Sequence, residues 1–241
     1  MGEDIQRLFE SRVTPDSVAA IFVEPIQGEG GYIVPPSGFL PKLREICDDY
    51  GILLVVDEVQ SGFGRTGKMW AVDHEGVRPD IMTVAKAMGN GFPVAAILAP
   101  HRVMSAWHHS EHGTTYGGNP IGCAAVMSVI EVMKRDKIPE RAAKLGAQVM
   151  ERARGWQQNN PELADVRGRG LMIGLEYMTD GRSATGYVER LQKLCVDKGL
   201  LLLTCGSEDN VIRFIPPLTV SEDELEQGLD ILEQSMQEAR A

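Results

Sequence analysis

The sequence lacks a surplus of basic residues and a long hydrophobic run. Its 24 lysines and arginines stand against 34 acidic residues, for a formal net charge of −10. This charge argues against a nucleic-acid-binding or anionic-membrane-binding protein, since both need clustered positive charge. No apolar stretch approaches the length of a membrane span, and the acidic start MGEDIQRLFESRV is unlike a signal or transit peptide. We therefore expect a cytoplasmic protein that binds neither nucleic acid nor membrane.

The sequence is also poor in the patterns that hold metal ions. Its four cysteines form no CxxC pair, and none has a histidine at metal-ligand spacing. Three of the five histidines lie in WHHSEH (107–112), where solvated loop residues are a simpler interpretation than a metal site. We expect isolated reduced thiols and no metal.

Short apolar runs alternate with amphipathic ones in the first half of the chain. The runs Ser17–Ile26, 52–58, Asp80–Met88 and Pro93–Pro100 predict four strands, the second continuously apolar as in a parallel strand covered on both faces. Ser37–Gly51 predicts a helix that begins at an N-cap, Ser37, and ends at Gly51. This order predicts an α/β domain.

The second half of the chain has a different pattern of predicted helices and strands. The predicted helices span Asn119–Asp136, Ile138–Asn160, Gly186–Lys198 and Ser221–Arg240. Short predicted strands alternate with helices after Pro161. We predict a partial large domain over 1–136, comprising sheet strands and a long connecting helix, and a smaller α+β domain over 137–241.

Charged side chains follow the first three predicted strands, where open α/β sheets bind ligands. These are Glu24, Asp57 and Lys86. Lys86 is either an exposed loop lysine or an amine nucleophile whose pKa is lowered by desolvation. Asp57 either pairs with that lysine or holds a cationic ring nitrogen. The latter arrangement is that of a pyridoxal phosphate site.

Six motifs in order carry a family resemblance over essentially the whole chain. They are VEPIQGEGG (23–31), VVDEVQSGFGRTG (55–67), PDIMTVAKAMGNGFP (79–93), HGTTYGGNPIGCAA (112–125), VRGRGLMIGLE (166–176) and VIRFIPPLTV (211–220). The sequence resembles the class III aminotransferases, and most of all those acting on 4-aminobutyrate. The resemblance implies the α/β fold of fold-type-I pyridoxal-phosphate-dependent transferases, here the back part of the large domain plus the C-terminal small domain.

The resemblance implies roles for residues around the cofactor. Lys86 matches the lysine that forms the Schiff base and later shuttles a proton, and Asp57 matches the acid on the pyridine nitrogen. Val59 would lie against a ring face, and Gln60 would bond the ring hydroxyl. Glu58 has no implied ligand role, and we expect it in a surface or hinge-side salt bridge.

The HGTTYGGNP motif implies a shared active site. Thr115 matches a threonine that binds the phosphate of the neighbouring subunit's cofactor, although it is also explicable as a turn residue before a helix. Thr114 beside it is a candidate contact to cofactor or substrate. The resemblance thus implies a homodimer.

Three charged residues are candidates for substrate binding. Arg213 matches an arginine that grips a substrate carboxylate, and Glu29 matches a glutamate that pairs with this arginine when a different substrate must fit. Glu24 is a further candidate close to the substrate, with a structural salt bridge as its alternative.

The implied reaction is a ping-pong transfer of an amino group from a 4-aminobutyrate-like ω-amino acid to the 2-oxo acid 2-oxoglutarate. Acetylornithine or ornithine as donor is an alternative, and a decarboxylase or aminomutase on the same scaffold is a third possibility. The family's phosphate-binding loop and ring-stacking aromatic have no counterpart before Glu24. We therefore expect an N-terminally truncated member, whose rival interpretation is a non-catalytic fragment.

Overall fold

The computed structural model describes residues 2–240, which form two compact units. The first unit contains 2–25, 35–63 and 70–136, and the second contains 26–34, 64–69 and 137–240. Two short segments from the N-terminal half of the chain are therefore part of the second unit. Within the described range, no helix has both the length and the apolar composition needed to cross a membrane.

A four-stranded sheet forms the centre of the first unit. Its strands are β1 (Ala20–Val23), β2 (Leu53–Asp57), β3 (Ile81–Val84) and β4 (Ala96–Leu98). They lie in the order β1-β2-β3-β4, with β1, β2 and β3 parallel and β4 antiparallel to β3. The middle residues of β2, 54–56, are buried. The four predicted strands are confirmed, each somewhat shorter than its apolar run.

Four α-helices accompany this sheet. They are α1 (Gly2–Ser11), α2 (Phe39–Tyr50), α3 (His101–Met104) and α4 (Pro120–Arg135). The long helix α4 agrees with its prediction to within one residue at each end. Asn119 caps it by accepting the N–H of Gly122 at 2.8 Å, and Pro120 occupies the first turn, where no N–H is needed.

The predicted start of α2 is wrong. Gly38, with φ +84°, is the N-cap residue, and Ser37 lies before it. The carboxylate of Glu75 accepts the N–H groups of Gly38 at 2.9 Å and Leu40 at 3.2 Å. A side chain distant in sequence therefore replaces the local serine cap. The predicted end of the helix at Gly51, which is the C-cap residue with φ +68°, is confirmed.

The second unit is an antiparallel sheet with three long helices. Its elements are α5 (Ile138–Gln157), β5 (Leu163–Arg169), β6 (Met172–Thr179), β7 (Arg182–Ser183), α6 (Thr185–Asp197), β8 (Leu203–Cys205), β9 (Val211–Phe214) and α7 (Glu222–Glu238). The strands run β5-β6-β9-β8, with β7 beside β6. Strand β5 was not predicted, because its charged residues and glycine obscure the apolar alternation of a strand.

The helices of the second unit pack on its sheet through one large apolar cluster. Leu145 of α5, Leu191 of α6 and Leu232 of α7 are fully buried in it with Ile173 and Ile212 of the strands. The capping box of α7, in which Ser221 and Glu224 bond each other's backbone N–H, begins that helix where predicted. This core gives strands β6 and β9 a rigid support.

Asp80 joins three parts of the first unit immediately before β3. Its buried carboxylate accepts the N–H of Leu54 at 3.0 Å, a bond from Arg44 at 2.7 Å and one from Arg102. Burial by itself would raise the pKa of Asp80. These three hydrogen bonds outweigh it and hold the pKa below its usual value.

We expect Asp80→Asn to lower the free energy of unfolding at pH 7 by roughly 3 kcal/mol, because two arginines lose a buried counter-charge. A carboxyl with a lowered pKa contributes stability above the unfolded pKa of about 3.9 and loses it below. The deficit of the variant should therefore shrink as the pH falls through 4. Urea denaturation across this range measures both effects.

The matched control is Asp136→Asn, which removes the exposed partner of Arg135. It should leave the urea midpoint almost unchanged, since surface pairs contribute little. Equal losses in the two variants would contradict the role assigned to Asp80.

Candidate active site

The carboxyl ends of the parallel strands bring two predicted residues to one edge of the first sheet. Asp57 ends β2 and is the register partner of Thr83 in β3. Glu24 follows Val23, whose partner Val56 directly precedes Asp57. Register partners point to the same face of a sheet, so Asp57 and Thr83 share a face.

The carboxylate of Asp57 is held in place locally. The residue is half-buried, and its Oδ1 accepts the N–H of Val59 at 2.9 Å. Val59 and Gln60 follow in a half-buried turn. A half-buried, oriented carboxylate at a strand end suits a cationic ring nitrogen.

The prediction for Glu58 is wrong. The residue is 1% exposed, and its carboxylate accepts bonds from the Ser61 hydroxyl at 2.6 Å, the Val72 N–H at 2.9 Å and the Ala71 N–H. Burial raises the pKa of Glu58, and these bonds oppose the rise. Strand alternation explains the placement: Glu58 points to the opposite side from Asp57, into the interior.

Lys86 lies just beyond β3 in a strained backbone conformation. It is exposed, begins a single 3₁₀ turn (Lys86–Met88), and has φ +43°, a left-handed value that costs a non-glycine residue about 1 kcal/mol. Strain stored at one lysine after a strand is typical of functional sites. The end of β3 and this turn together set the backbone position of Lys86, from which its side chain extends.

A cavity of about 840 Å³ lies in the first unit. Its lining includes Thr83, Ile97, Trp107, Thr114 and Tyr116. Ile97 is the β4 partner of Thr83, so the cavity borders the sheet face that also carries the adjacent Asp57.

The HGTTYGG segment presents its two threonines differently. Thr114 lines the cavity and accepts the N–H of Gly117 at 3.2 Å through its hydroxyl. Thr115 is exposed outside the cavity lining. His112, at the start of the segment, stacks on Trp107 with ring centroids 4.6 Å apart. This stacking supports the segment from one side.

Thr83 is a polar site residue that the sequence reasoning missed. Its hydroxyl is buried and has no hydrogen-bond partner within residues 2–240, although the cavity borders it. A buried hydroxyl without a partner costs free energy, so a ligand able to bond it would gain affinity. The one signal in the sequence was a threonine inside the apolar run DIMTV.

The second unit holds the other predicted pair. Arg213 of β9 donates from Nη1 to Oε1 of Glu29 at 2.5 Å. The Arg213 side chain is 15% exposed, whereas that of Glu29 is 70% exposed. Arg213 Nε is buried without a hydrogen-bond partner in the described chain, so the guanidinium retains donor capacity. The predicted contact between the two residues is present.

Two further residues of the second unit were not predicted: Tyr32 interacts electrostatically with this pair, and Arg65 interacts with Tyr32. Tyr32 is fully buried, its hydroxyl has no partner within the described residues, and burial raises its pKa against the charge of Arg213. Arg65 donates from Nη1 to the carbonyl oxygens of Leu171 at 3.1 Å and Pro216 at 2.7 Å, and burial lowers its pKa to about 10. Arg65 lies within the motif VVDEVQSGFGRTG, and Tyr32 directly follows VEPIQGEGG.

The family of the chain follows from a comparison with family models. Residues 1–236 match the model described as Aminotransferase class-III, and the chain belongs to this family. Membership of this enzyme family indicates pyridoxal phosphate as the cofactor. The predicted family is confirmed.

Individual relatives are similar over most of this chain. An acetylornithine aminotransferase of Methanothermobacter thermautotrophicus is 47% identical over 90% of the chain and 53% of its own length. The 4-aminobutyrate aminotransferase of Escherichia coli is 39% identical over 98% of the chain and 56% of its own length. The names of these relatives differ in the amino donor. The chain spans about half the length of the curated relatives it matches.

Solved structures confirm the predicted fold class. An amine transaminase from an uncultivated Pseudomonas species, in a pyridoxal-phosphate-bound form, superposes with a TM-score of 0.92 at 35% identity. The match covers 99% of this chain and 56% of that one. The fold is therefore the α/β fold of pyridoxal-phosphate-dependent transferases of fold type I.

We expect Thr83→Val to leave the ligand-free chain as stable as before, or more stable by up to about 1 kcal/mol. The substitution keeps the shape of the side chain and removes a hydroxyl that is buried without a partner. Urea denaturation without added cofactor measures the change. A clear loss of stability would mean that the hydroxyl has a structural partner in solution.

Proposed function

We propose that this chain provides the lysine-bearing part of an ω-aminotransferase that moves an amino group from a 4-aminobutyrate-like donor to 2-oxoglutarate in two half-reactions. The ion pair between Arg213 and Glu29 is the observation that carries this proposal. When Glu29 holds the guanidinium, its charge is neutralised and a substrate without a carboxylate there can bind. When Glu29 moves away, Arg213 can take a carboxylate through two parallel hydrogen bonds.

The first unit has residues that suit the cofactor. Bound pyridoxal phosphate would carry the amino group and accept the electrons released by substrate deprotonation. Asp57 would keep the ring nitrogen protonated, Gln60 would bond the ring hydroxyl, and Val59 would contact a ring face. Lys86 would hold the cofactor covalently and then move a proton with the same amine. The oriented carboxylate and the strained lysine support these roles.

Two threonine hydroxyls beside the cavity complete this set. Thr83 would donate its unpaired hydroxyl to a polar group of the bound cofactor or substrate. Thr114, whose oxygen accepts an N–H, retains its hydroxyl proton for the same purpose. Glu24 lies exposed at the same sheet edge, and its proposed role is to contact the substrate side of the site.

We further propose that the active enzyme is a homodimer in which Thr115 binds the cofactor phosphate of the other subunit. Thr115 is exposed and lies outside the cavity lining. Tyr116 beside it is 80% exposed, and Ile121 and Met127 of the following helix are 67% and 60% exposed. Large exposed apolar patches mark association surfaces, and these three side chains support such a surface if they form one patch.

The test of the cofactor site is an absorbance spectrum of the purified chain after incubation with pyridoxal phosphate and desalting. We expect a visible band that the chain retains and that Lys86→Ala loses, because the substitution removes the amine that holds the cofactor. Thr83→Val should keep the band and weaken cofactor affinity about fivefold, the effect of one hydrogen bond.

The control for this test is Lys134→Ala, which removes an exposed lysine on α4 and should leave the band intact. An equal band in Lys86→Ala would contradict the role of Lys86. No band in the unaltered chain would mean that these residues do not hold the cofactor by themselves, as expected of a non-catalytic fragment.

Acetylornithine is a second candidate donor, favoured by the 47% identical relative. Once a cofactor band is established, adding each donor in turn should abolish it where the amino group is transferred. We expect 4-aminobutyrate to act faster than acetylornithine. The reverse order would assign the chain to the acetylornithine branch, and release of carbon dioxide would indicate a decarboxylase.

A further inference from the structure

Glu29 lies on a tight loop of the second unit, residues 26–34, here called the Glu29 loop. Its ends are joined by a hydrogen bond from the Gln27 N–H to the Ile33 carbonyl at 3.0 Å. Inside it, the Tyr32 N–H donates to the Gly28 carbonyl at 3.2 Å. The loop therefore has a closed backbone of its own.

The base of the Glu29 loop is held in a small apolar cluster. Tyr32, fully buried and with φ +54°, packs with Ile26 of the loop and with Met172, Cys205 and Val211 of the sheet strands. The Gly206 N–H also donates to the carbonyl of Glu29 itself at 2.9 Å. The backbone on both sides of the Glu29 side chain is thus fixed to the sheet.

Arg167 of β5 anchors the Glu29 loop through hydrogen bonds to its backbone. Its Nε and Nη2 both donate to the carbonyl oxygen of Gly31, at 2.9 and 2.6 Å. Its Nη1 donates to Asp165 at 2.9 Å and to Glu176. All three nitrogens of the guanidinium therefore donate hydrogen bonds. The side chain is only 16% exposed, so these bonds are largely shielded from water.

Gly31 is adapted to this anchor. Its φ of +120° is a conformation that side-chain-bearing residues rarely adopt, and a Cβ there would lie 3.2 Å from Nη2 of Arg167. The loop can therefore come close enough for one carbonyl to receive two donors of the same guanidinium. Arg167 touches the loop backbone two residues from Glu29, and the Glu29–Arg213 contact is made by the side chain alone.

We propose that Arg167 is a positioning residue that sets how readily Glu29 releases Arg213 to a substrate carboxylate. With the loop backbone anchored, Glu29 exchanges by rotating its exposed side chain, without movement of the loop. The anchor also holds Glu29 in the position where it competes best with an incoming carboxylate. This proposal rests on the function proposed above, because it assumes that Arg213 receives substrate carboxylates.

The test measures the affinity of the full 241-residue chain for glutarate, a five-carbon dicarboxylate that cannot react, by calorimetry. Glu29→Gln should tighten binding, because it removes the charge that competes for Arg213. Arg167→Met should tighten binding about fivefold, since a loosened loop positions Glu29 less well. In the double variant, Arg167→Met should add nothing, because no competing charge remains to be positioned.

Two controls separate positioning from general damage. Arg240→Met removes an arginine that likewise bonds a carbonyl, of Asn159, and a carboxylate, of Glu162, and it should leave glutarate affinity unchanged. Arg167→Lys keeps the charge but cannot make all of these bonds, so it should shift the affinity in the same direction by a smaller amount. It also serves if Arg167→Met does not fold, as judged by circular dichroism.

The outcomes distinguish this inference from the proposed function. If Arg213→Met binds glutarate as well as the unaltered chain, or Glu29→Gln binds none, the carboxylate-binding role of Arg213 fails. If Arg213→Met abolishes binding but the effects of Arg167→Met and Glu29→Gln simply add, Arg167 is only structural. An unchanged affinity in both Arg167 variants overturns the positioning role as well.

Discussion

The register between parallel strands β2 and β3 is the constraint on which the proposed cofactor site depends. It sets Asp57 opposite Thr83, and it sends the next residue, Glu58, into the interior. A slip of one residue would exchange these two carboxylates, because alternate side chains point to opposite faces. The buried one would then lose the donors that compensate its burial. Apolar burial of β2 and the bonds to Asp80 together prevent this slip.

The role proposed for Arg213 in the second unit places a different electrostatic demand, because its guanidinium must be neutralised and yet remain available to a carboxylate. The Arg213 side chain is largely buried, but its partner carboxylate lies mostly in water. A buried pair with two fixed partners would be costly to open, since separation leaves an unpaired charge. In the proposed exchange, an exposed glutamate would regain hydration when it leaves Arg213, so the exchange would cost less free energy than the opening of a buried pair. Rigidity is instead placed in the loop backbone beneath it, at Gly31 and Tyr32.

Two failures of sequence reasoning, at Ser37 and at Glu58, share one cause. Ser37 has the residue type of a helix cap, but Glu75 reaches the helix start from elsewhere in the chain. Glu58 has the residue type of a surface ion pair, but the N–H of Val72, from a later turn of the chain, helps to make its burial tolerable. In both cases a contact distant in sequence overrides a local preference. The helix α4 was predicted closely because its cap, Asn119, and its first-turn proline act within a few residues.

By itself, the sequence determined the family, the α/β class, the bounds of the long helix α4 and the charged residues that follow the first three strands. These depend on periodicity, caps and motifs that lie within short stretches of chain. Only the tertiary structure decided that the Thr83 hydroxyl is buried without a partner among the described residues and that Arg167 holds the loop that carries Glu29. The reason is physical: burial and hydrogen bonding depend on neighbours that folding brings from distant positions in the chain.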